Sequence, residues 1–434
     1  MHQIRNIFDQ YDQPENRLTH ALVQVLVRDE TLARRFIARF VPGLSVPATH
    51  KFCFSCQRFP EQEGEPEERS EEQEAEGYGI PDFWVYGKSD GDEPRWAVFC
   101  ECKVTADLRA DQLKNHASTA QKLDFPLLHL LTITPTRAGP EAFGLLPPLV
   151  HASPVAWFEV YEFIHGYRDR DYARDFLDYM HIVEDQLICK GKAVEPLTKF
   201  LGIPFDSNHE FVELSARSHL RALMRELRPR LEASDALPIS REIARKPITG
   251  PWDVVGFRFA APNEVFTEHP HITVFVEPEG CGIQLTLPNN AKTGYWRRMR
   301  KRGSDELLRV FREVAERIGP QRPLPQGFWE PSLGVYLEQV HFYARRRPTS
   351  DGKLTFDLNA ILSDQPQANV RPVSAWLSTL SCMLPATTQA NFELALKVKY
   401  PYVAGSACRD AGFVDVLVRD AEALQPFLAL LTED

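Results

Sequence analysis

The sequence of 434 residues predicts an α/β domain over residues 1–190, followed by a separate α+β region over residues 191–434. Two observations favour this division. Helical and strand patterns alternate in the first part, which is typical of a sheet flanked by helices. In the second part a long helical pattern precedes several strand-like runs. The hydrophobic fraction of 43% is sufficient for a globular protein with a substantial core.

Composition argues against membrane insertion and export. No run approaches the roughly 18 consecutive apolar residues that a membrane-spanning helix needs. The first residues lack the apolar core and cleavage site of a secretory signal. Eight cysteines in so long a chain are too few for a disulfide scaffold. We therefore expect a cytoplasmic protein with reduced thiols and no membrane partner.

The net charge of −10 is concentrated in one segment. Residues 61–76 contain nine glutamates and one arginine, so the remaining 418 residues carry about −2. This segment has almost no apolar residues, and we expect residues 61–77 to form a flexible acidic loop. Because the rest of the chain is nearly neutral, its net charge does not argue against a polyanionic partner.

Helical and strand patterns follow each other in the first domain. Residues 15–40 carry apolar residues at helical spacing and predict one or two helices, with Pro14 at the first turn. Strands are predicted at 51–59, 80–86, 95–104 and 127–134, and helices at 106–123 and 172–187. Residues 155–164 are interpreted as a strand or a strand-to-helix junction.

The second region is predicted to be rich in strands. Helices are expected at 210–231, where Pro229 ends the helix, at 305–318 and at 421–431. Strands are expected at 254–260, 272–277, 282–287, 335–344, 354–358 and 392–399. Strand-rich halves on either side of the 305–318 helix suggest two similar subdomains. We interpret the whole region as a recognition or regulatory unit.

Three charged residues at predicted strand ends carry the most chemical information. Glu101 and Lys103 are two residues apart, so they share one face of a strand on which Ala97 and Phe99 precede them. A buried carboxylate and ammonium at this place cost several kcal/mol of desolvation unless something compensates them. Oxygen ligands from Asp82, Glu101 and the Cys102 carbonyl could bind Mg²⁺. Lys103 could then orient or deprotonate a water molecule and stabilise charge on a phosphate.

These residues resemble the PD-(D/E)xK nuclease superfamily, the fold of many restriction endonucleases. Pro81-Asp82 is followed by Glu101-Cys102-Lys103, and the resemblance extends over about residues 10–190. It implies a mixed central sheet flanked by helices and cleavage of phosphodiester bonds with Mg²⁺ or Mn²⁺. It further implies Asp82 and Glu101 as metal ligands and Lys103 as a catalytic residue. Glu15, in the first helix, matches an acidic position that sometimes completes the metal site.

The predicted helix after the Lys103 strand supplies two more candidates. Gln112 and His116 are four residues apart and share a helix face. Gln112 is expected near the scissile phosphate, with a polar face over the sheet as the alternative. For His116 the interpretation as part of such a polar face is preferred.

A cationic cluster in the second region suggests nucleic-acid binding. It comprises Lys292, Arg297, Arg298, Arg300, Lys301 and Arg302, with Tyr295 and Trp296 among them and no acidic residue before Asp305. The cations could bind phosphates while the aromatic rings pack or stack on bases. The alternative is a solvated turn with Trp296 buried.

The sequence as a whole therefore predicts a Mg²⁺-dependent endonuclease. DNA is the expected substrate, with RNA as an alternative, and the family suggests a role in restriction or anti-phage defence. A homodimer and an activating partner of the second region are further expectations. The rival hypothesis is an inactive nuclease fold that binds a protein, a nucleic acid or a small ligand. The chain contains no P-loop and no HExxH motif, so nucleotide hydrolysis and zinc proteolysis lack support.

Overall fold

The computed structural model divides the chain into two compact units, Met1–Lys199 and Phe200–Asp434. It describes residues 13–57, 60, 79–88, 94–123, 125–192, 195–207, 209–240, 250–258, 266–288, 293–319, 332–341, 349–359 and 392–433. The predicted acidic loop at 61–77, Lys292 and most of the turn after β2 lie outside these residues.

The first unit contains a mixed five-stranded sheet flanked by helices, as the sequence predicts. Its elements are α1 (Pro14–Arg28), α2 (Glu30–Phe40), β1 (Lys51–Cys56), β2 (Phe83–Lys88), β3 (Pro94–Cys102), α3 (Ala110–Gln121), β4 (Leu128–Thr134), β5 (Val150–Ala156), α4 (Trp157–His165) and α5 (Asp171–Cys189). The strands lie in the order β1-β2-β3-β4-β5. The pairs β1–β2 and β2–β3 are antiparallel, whereas β3–β4 and β4–β5 are parallel.

Burial on both faces explains why the central strands are rich in apolar residues. Every residue of β4 is buried, which is typical of strands covered by helices on both sides. Helix α3 covers one face, where Leu113 packs with Trp84 of β2 and Phe99 of β3. Helix α1 packs against β1 and α5. The alternation of β3 therefore directs Glu101 toward α3, because Glu101 shares a face with Phe99.

Capping side chains fix two boundaries that the sequence left open. Residues 15–40 form two helices, because Asp29 interrupts the first and caps the second by accepting a hydrogen bond from the Leu32 N–H at 3.0 Å. The 155–164 segment is a junction: β5 ends at Ala156 and α4 begins at the next residue. There the Ala156 N–H donates to Glu159 Oε2 at 2.9 Å.

In the described residues of the second unit, six strands form one antiparallel sheet. Its elements are α6 (Glu213–Ala233), β6 (Trp252–Gly256), β7 (His271–Glu277), β8 (Gly280–Leu287), α7 (Thr293–Ile318), β9 (Leu333–His341), β10 (Thr349–Asp357), β11 (Phe392–Tyr400), α8 (Phe413–Ala423) and α9 (Gln425–Thr432). The strand order is β10-β9-β11-β8-β7-β6. Because β11 pairs with both β8 and β9, the strands before and after α7 belong to one sheet. The two expected subdomains are therefore a single unit.

One face of this sheet carries the helices and the core. Leu394, Leu396 and Val398 of β11 lie in a cluster with apolar residues of α6, α7 and α8. Lys397 and Lys399 alternate with them and therefore lie on the opposite face.

Three helix boundaries differ from the prediction. Helix α6 continues through Pro229 to Ala233, because Leu227 and Leu231 on either side are buried in the core. The segment 421–431 lies in two helices, α8 and α9, and Pro426 is in the first turn of α9. Helix α7 begins at Thr293, twelve residues before the predicted start, and is interrupted at Gly303. Among the described residues, no helix combines the length and apolar character needed to cross a membrane.

Candidate functional site

Asp82 and Glu101 lie opposite each other where β2 begins and β3 ends. The Asp82 N–H donates to the Cys100 carbonyl at 3.0 Å and continues the ladder between β2 and β3. The Cys102 N–H donates to Asp82 Oδ2 at 2.7 Å. Two backbone interactions thus fix the Asp82 carboxylate beside the end of β3.

Glu101 is the centre of a polar cluster under α3. Its side chain is almost completely buried, at 2% exposure. Lys103 Nζ lies 2.6 Å from Glu101 Oε1, and Gln112 Nε2 donates to the same oxygen at 2.7 Å. His116 Nε2 lies 3.0 Å from Glu101 Oε2. The structure therefore brings together Asp82, Glu101, Lys103 and Gln112, which the sequence proposed as catalytic.

The two carboxylates have opposite pKa shifts. Burial raises the pKa of Asp82, and the negative charge of Glu101 raises it further, to about 7, against the opposing effects of the Cys102 N–H and Lys103. Burial also favours the neutral form of Glu101, but His116 and Lys103 outweigh burial and lower its pKa. The buried Glu101 carboxylate and the half-buried Asp82 carboxylate therefore share the site and repel each other.

Lys103 remains a cation in this environment. Burial alone would lower its pKa, but the hydrogen bond to Glu101 and the charges of Glu101, Asp82 and Glu15 raise it above the usual value. The backbone of Lys103 is fixed as well, since its carbonyl accepts a hydrogen bond from Trp157 Nε1 at 2.8 Å. The ammonium is therefore suited to stabilising negative charge.

Glu15 binds the segment that follows Lys103. Its Oε1 accepts hydrogen bonds from the backbone N–H groups of Val104, Thr105 and Ala106 at 3.4, 2.9 and 3.2 Å, and from the Thr105 hydroxyl at 3.0 Å. Burial would raise the pKa of Glu15, but the hydrogen bonds, chiefly from Thr105, lower it. Glu15 was predicted to be a metal ligand. In the structure its Oε1 instead accepts the hydrogen bonds that position the loop after Lys103.

His116 contributes more to the site than the sequence indicated. The expected polar helix face does exist, but His116 is buried in it and contacts Glu101. Its ring lies under Gly79, where a Cβ atom would approach His116 Nδ1 to 2.6 Å. The four-residue spacing from Gln112 was the one sequence signal for this arrangement, because it places both side chains on one helix face.

The donor atoms suit a hard divalent cation. A cation beside Asp82 and Glu101 would relieve the repulsion between them. Among the described residues, no three His, Cys, Asp or Glu side chains form a metal-binding group. Of the predicted ligands, the carboxylates of Asp82 and Glu101 lie in this cluster, and Mg²⁺ sites commonly combine one or two carboxylates with several waters.

The predicted nucleic-acid-binding residues belong to the second unit. Trp296 and Tyr295 are buried in its core, so Trp296 presents no free face on which a base could stack. Trp296 is buried, as the alternative interpretation expected, but the segment is helical and not a turn. Arg297, Lys301 and Arg302 are exposed, and Arg298 is half-buried. Arg300 lies in α7, and Lys292 is outside the described residues.

Comparison of the chain with protein families, with curated proteins and with solved structures finds no match. The candidate site is therefore defined by its own geometry and chemistry.

Proposed function

We propose that the first unit is a metal-dependent nuclease domain with a restriction-endonuclease-like fold. The observation that carries the proposal is the convergence of Asp82, Glu101 and Lys103 at the adjoining ends of β2 and β3. A buried carboxylate, a half-buried carboxylate and a half-buried ammonium are unfavourable for folding, and such a cost is expected at a site selected for chemistry. The mixed sheet and the covering helix α3 are consistent with this proposal.

Mg²⁺ or Mn²⁺ would be held by Asp82, Glu101 and the Cys102 carbonyl. Bound there, the ion would polarise a phosphate and lower the pKa of a water molecule. Lys103 stays protonated beside Glu101 and stabilises the charge that develops on the phosphate. Gln112 and His116 hold the Glu101 carboxylate in a fixed orientation.

DNA is the proposed substrate, and RNA is the alternative within the same chemistry. The site recognises a phosphodiester through charge and metal ligands, which both nucleic acids satisfy. The choice of DNA, and a role in restriction or anti-phage defence, depend on the resemblance of Pro81-Asp82 and Glu101-Cys102-Lys103 to the nuclease superfamily.

One observation favours a second candidate function, an inactive nuclease fold that only binds. Both oxygens of Glu101 already contact side chains of the protein, namely Lys103, Gln112 and His116. A fold that had lost catalysis could keep such a network for stability alone. The two candidates differ in one property, the ability to break a phosphodiester bond.

A plasmid-nicking assay with Mg²⁺ or Mn²⁺ tests the proposal. Wild-type protein should convert supercoiled DNA to open-circular or linear forms, and EDTA should stop the reaction. Asp82→Asn and Lys103→Met should each reduce the rate by at least a hundredfold, since each removes a group that acts on the reacting phosphate.

Asp111→Asn is the matched control. Asp111 is an exposed acidic residue next to Gln112, and its carboxylate forms an ion pair with the exposed Arg109. Its removal should leave the rate unchanged. Cutting that survives both site substitutions would refute the site assignment. Binding of DNA or RNA without cutting, in either metal, would favour the inactive module.

A further inference from the structure

The first segment of α7 is a short amphipathic helix of one charge sign. Helix α7 is interrupted at Gly303, whose φ of 79° and ψ of 178° are not helical. In the segment before Gly303, Tyr295, Trp296 and Met299 are buried in the core of the second unit. Arg297 and Lys301 lie on its exposed side.

Among the described residues, Arg297 and Lys301 lack the acidic partners that the arginines of the second segment have. Residues 293–302 contain no acidic residue, and Arg297 and Lys301 are like charges at i and i+4, a spacing that destabilises a helix. Among the described residues, no side chain pairs with either cation. Arg302 contacts the Glu433 carbonyl at 3.4 Å.

The second segment of the same helix is an internal comparison. Arg309 pairs with Glu306 at 2.8 Å and with Glu313 at 3.2 Å, and Arg317 pairs with Glu313 at 2.6 Å. This mixture of signs is what an ordinary solvated helix face carries. The first segment carries charges of one sign, and the two cations on its exposed side lack such pairs in the part of the chain that the structure describes. Uncompensated like charges of this kind are expected at a functional surface.

We infer that the basic face of α7, formed by Arg297, Arg298, Lys301 and Arg302, binds the phosphate backbone of a nucleic acid. Arg297 and Lys301 are about 6 Å apart along the helix axis, so they can contact neighbouring phosphates. The aromatic rings of the segment are buried and cannot read or stack on bases. Binding is therefore expected to be independent of base sequence.

The burial pattern favours a nucleic acid over an anionic membrane surface. A helix that binds a membrane in the interface inserts an apolar face into the lipid. Here the apolar residues Tyr295, Trp296 and Met299 already pack against their own unit. The exposed side of the segment therefore offers a partner only positive charge, and a nucleic-acid backbone, with its regularly spaced negative charges, is the matching partner. This inference does not depend on cleavage by the first unit.

Salt-dependent binding of the full chain to a fluorescent DNA duplex tests the inference. The measurement is made in EDTA, which prevents metal-dependent cleavage. The Arg297→Gln/Lys301→Gln variant should bind roughly tenfold more weakly than wild type, and the slope of log K against log salt should decrease by about 1.8. Each single substitution should reduce the slope by about 0.9.

The control is Arg309→Gln/Arg317→Gln, which removes the same charge from the same helix. Its slope should stay that of the wild type, because both arginines are paired with glutamates. Equal losses in the two double variants would overturn the inference, because they would indicate a general charge effect. Absence of duplex binding by the wild type would also overturn it, as would binding only to phosphatidylserine vesicles. Melting followed by circular dichroism confirms that each variant is folded.

Discussion

Glu101 is buried and yet favours its charged form, because Lys103, Gln112 and His116 contact its two oxygens. Asp82 lies opposite Glu101 on the adjacent strand end and bears the cost, since burial and the Glu101 charge raise its pKa. The surroundings of these two neighbouring carboxylates thus shift their pKa values in opposite directions. Such a separation is common where residues of one type serve different roles.

The ring of His116 leaves no room for a side chain at position 79. Gly79→Ala places a Cβ atom 2.6 Å from His116 Nδ1, and His116 itself is held against Glu101. We expect this substitution to displace the ring and to reduce cutting at least tenfold in the plasmid assay. Gly144→Ala is the control, because its nearest neighbour would be the Glu141 carbonyl at an ordinary 3.6 Å. Unchanged cutting by Gly79→Ala would show that the position of His116 is unimportant.

A pair of like charges in the second unit predicts a pH dependence of stability. Glu393 of β11 lies opposite Glu338 of β9, and burial, together with the Glu338 charge, raises the pKa of Glu393 to about 7. The pKa of Glu393 is higher in the folded protein than in the unfolded chain, so protonation of Glu393 stabilises the fold. This stabilisation is complete below pH 4.5 and is lost as the pH rises through 7. Glu393→Gln should therefore raise the free energy of unfolding by about 1–3 kcal/mol at pH near 8.

Thermal unfolding over a series of pH values measures this effect. The difference between Glu393→Gln and wild type should shrink toward zero near pH 4, where the carboxyl is neutral in both states. Glu338→Gln should also stabilise at high pH, because it removes the same repulsion. A gain that is constant with pH would mean that Glu393 is not the titrating group.

Strand alternation was sufficient to predict part of the candidate site at the residue scale. It put Glu101 and Lys103 on one face after Phe99, and the structure confirms their contact. It could not predict the partners of Glu15 or His116, because these depend on how a loop and a helix pack onto the strand. Long-range contacts of this kind leave no local pattern in a sequence.

At the scale of the element, periodicity located most helices and strands but not their ends. The observed ends depend on single groups, such as Asp29 between α1 and α2 and Gly303 within α7. The first segment of α7 was expected to be either a binding surface or a turn, because its cations obscure the apolar spacing of Tyr295, Trp296 and Met299. The structure resolves that spacing into a buried helix face.

Alanine substitutions at Gly303 and Gly294, two glycines of α7, should have opposite effects on stability. Its backbone conformation is accessible almost only to glycine, so Gly303→Ala should lower the free energy of unfolding by about 1–3 kcal/mol. Gly294 lies in the helical segment, and a Cβ atom there would have only the Arg298 side chain nearby, at 3.6 Å. Gly294→Ala should therefore stabilise by about 0.5–1 kcal/mol.

Chemical denaturation of the two variants measures both effects in one experiment. Opposite shifts of the transition midpoint are expected. If both alanines shift it in the same direction, the interruption at Gly303 is not a fixed feature of α7.

At the scale of the whole molecule, the sequence predicted the class of each part better than its organisation. The mixed α/β sheet of the first unit was expected, and the strand-rich second region is also observed. The arrangement of the second sheet was not, because β11 lies between β8 and β9 and only pairing between distant segments determines this order. Local patterns carry no information on which strands become neighbours.

Metal binding should stabilise the first unit, because Asp82 and Glu101 both belong to it. If Asp82 and Glu101 hold Mn²⁺, the ion should raise the melting temperature, with about 2.7 kcal/mol of stabilisation at a hundred times the Kd. EDTA should reverse the shift, and Asp82→Asn should abolish it. Asp111→Asn should retain it, because Asp111 is exposed and pairs with Arg109. A shift of equal size in Asp82→Asn would indicate that Mn²⁺ binds elsewhere.

The hydrogen bonds of Glu15 connect the first turn of α1 to the residues directly after Lys103, about ninety positions later in the chain. Helix ends fray more readily than a sheet melts, because fewer buried contacts hold them. Warming should therefore release this connection before cooperative unfolding begins. If the proposed nuclease activity depends on this connection, cutting should be lost reversibly at a temperature where the circular dichroism spectrum is still native.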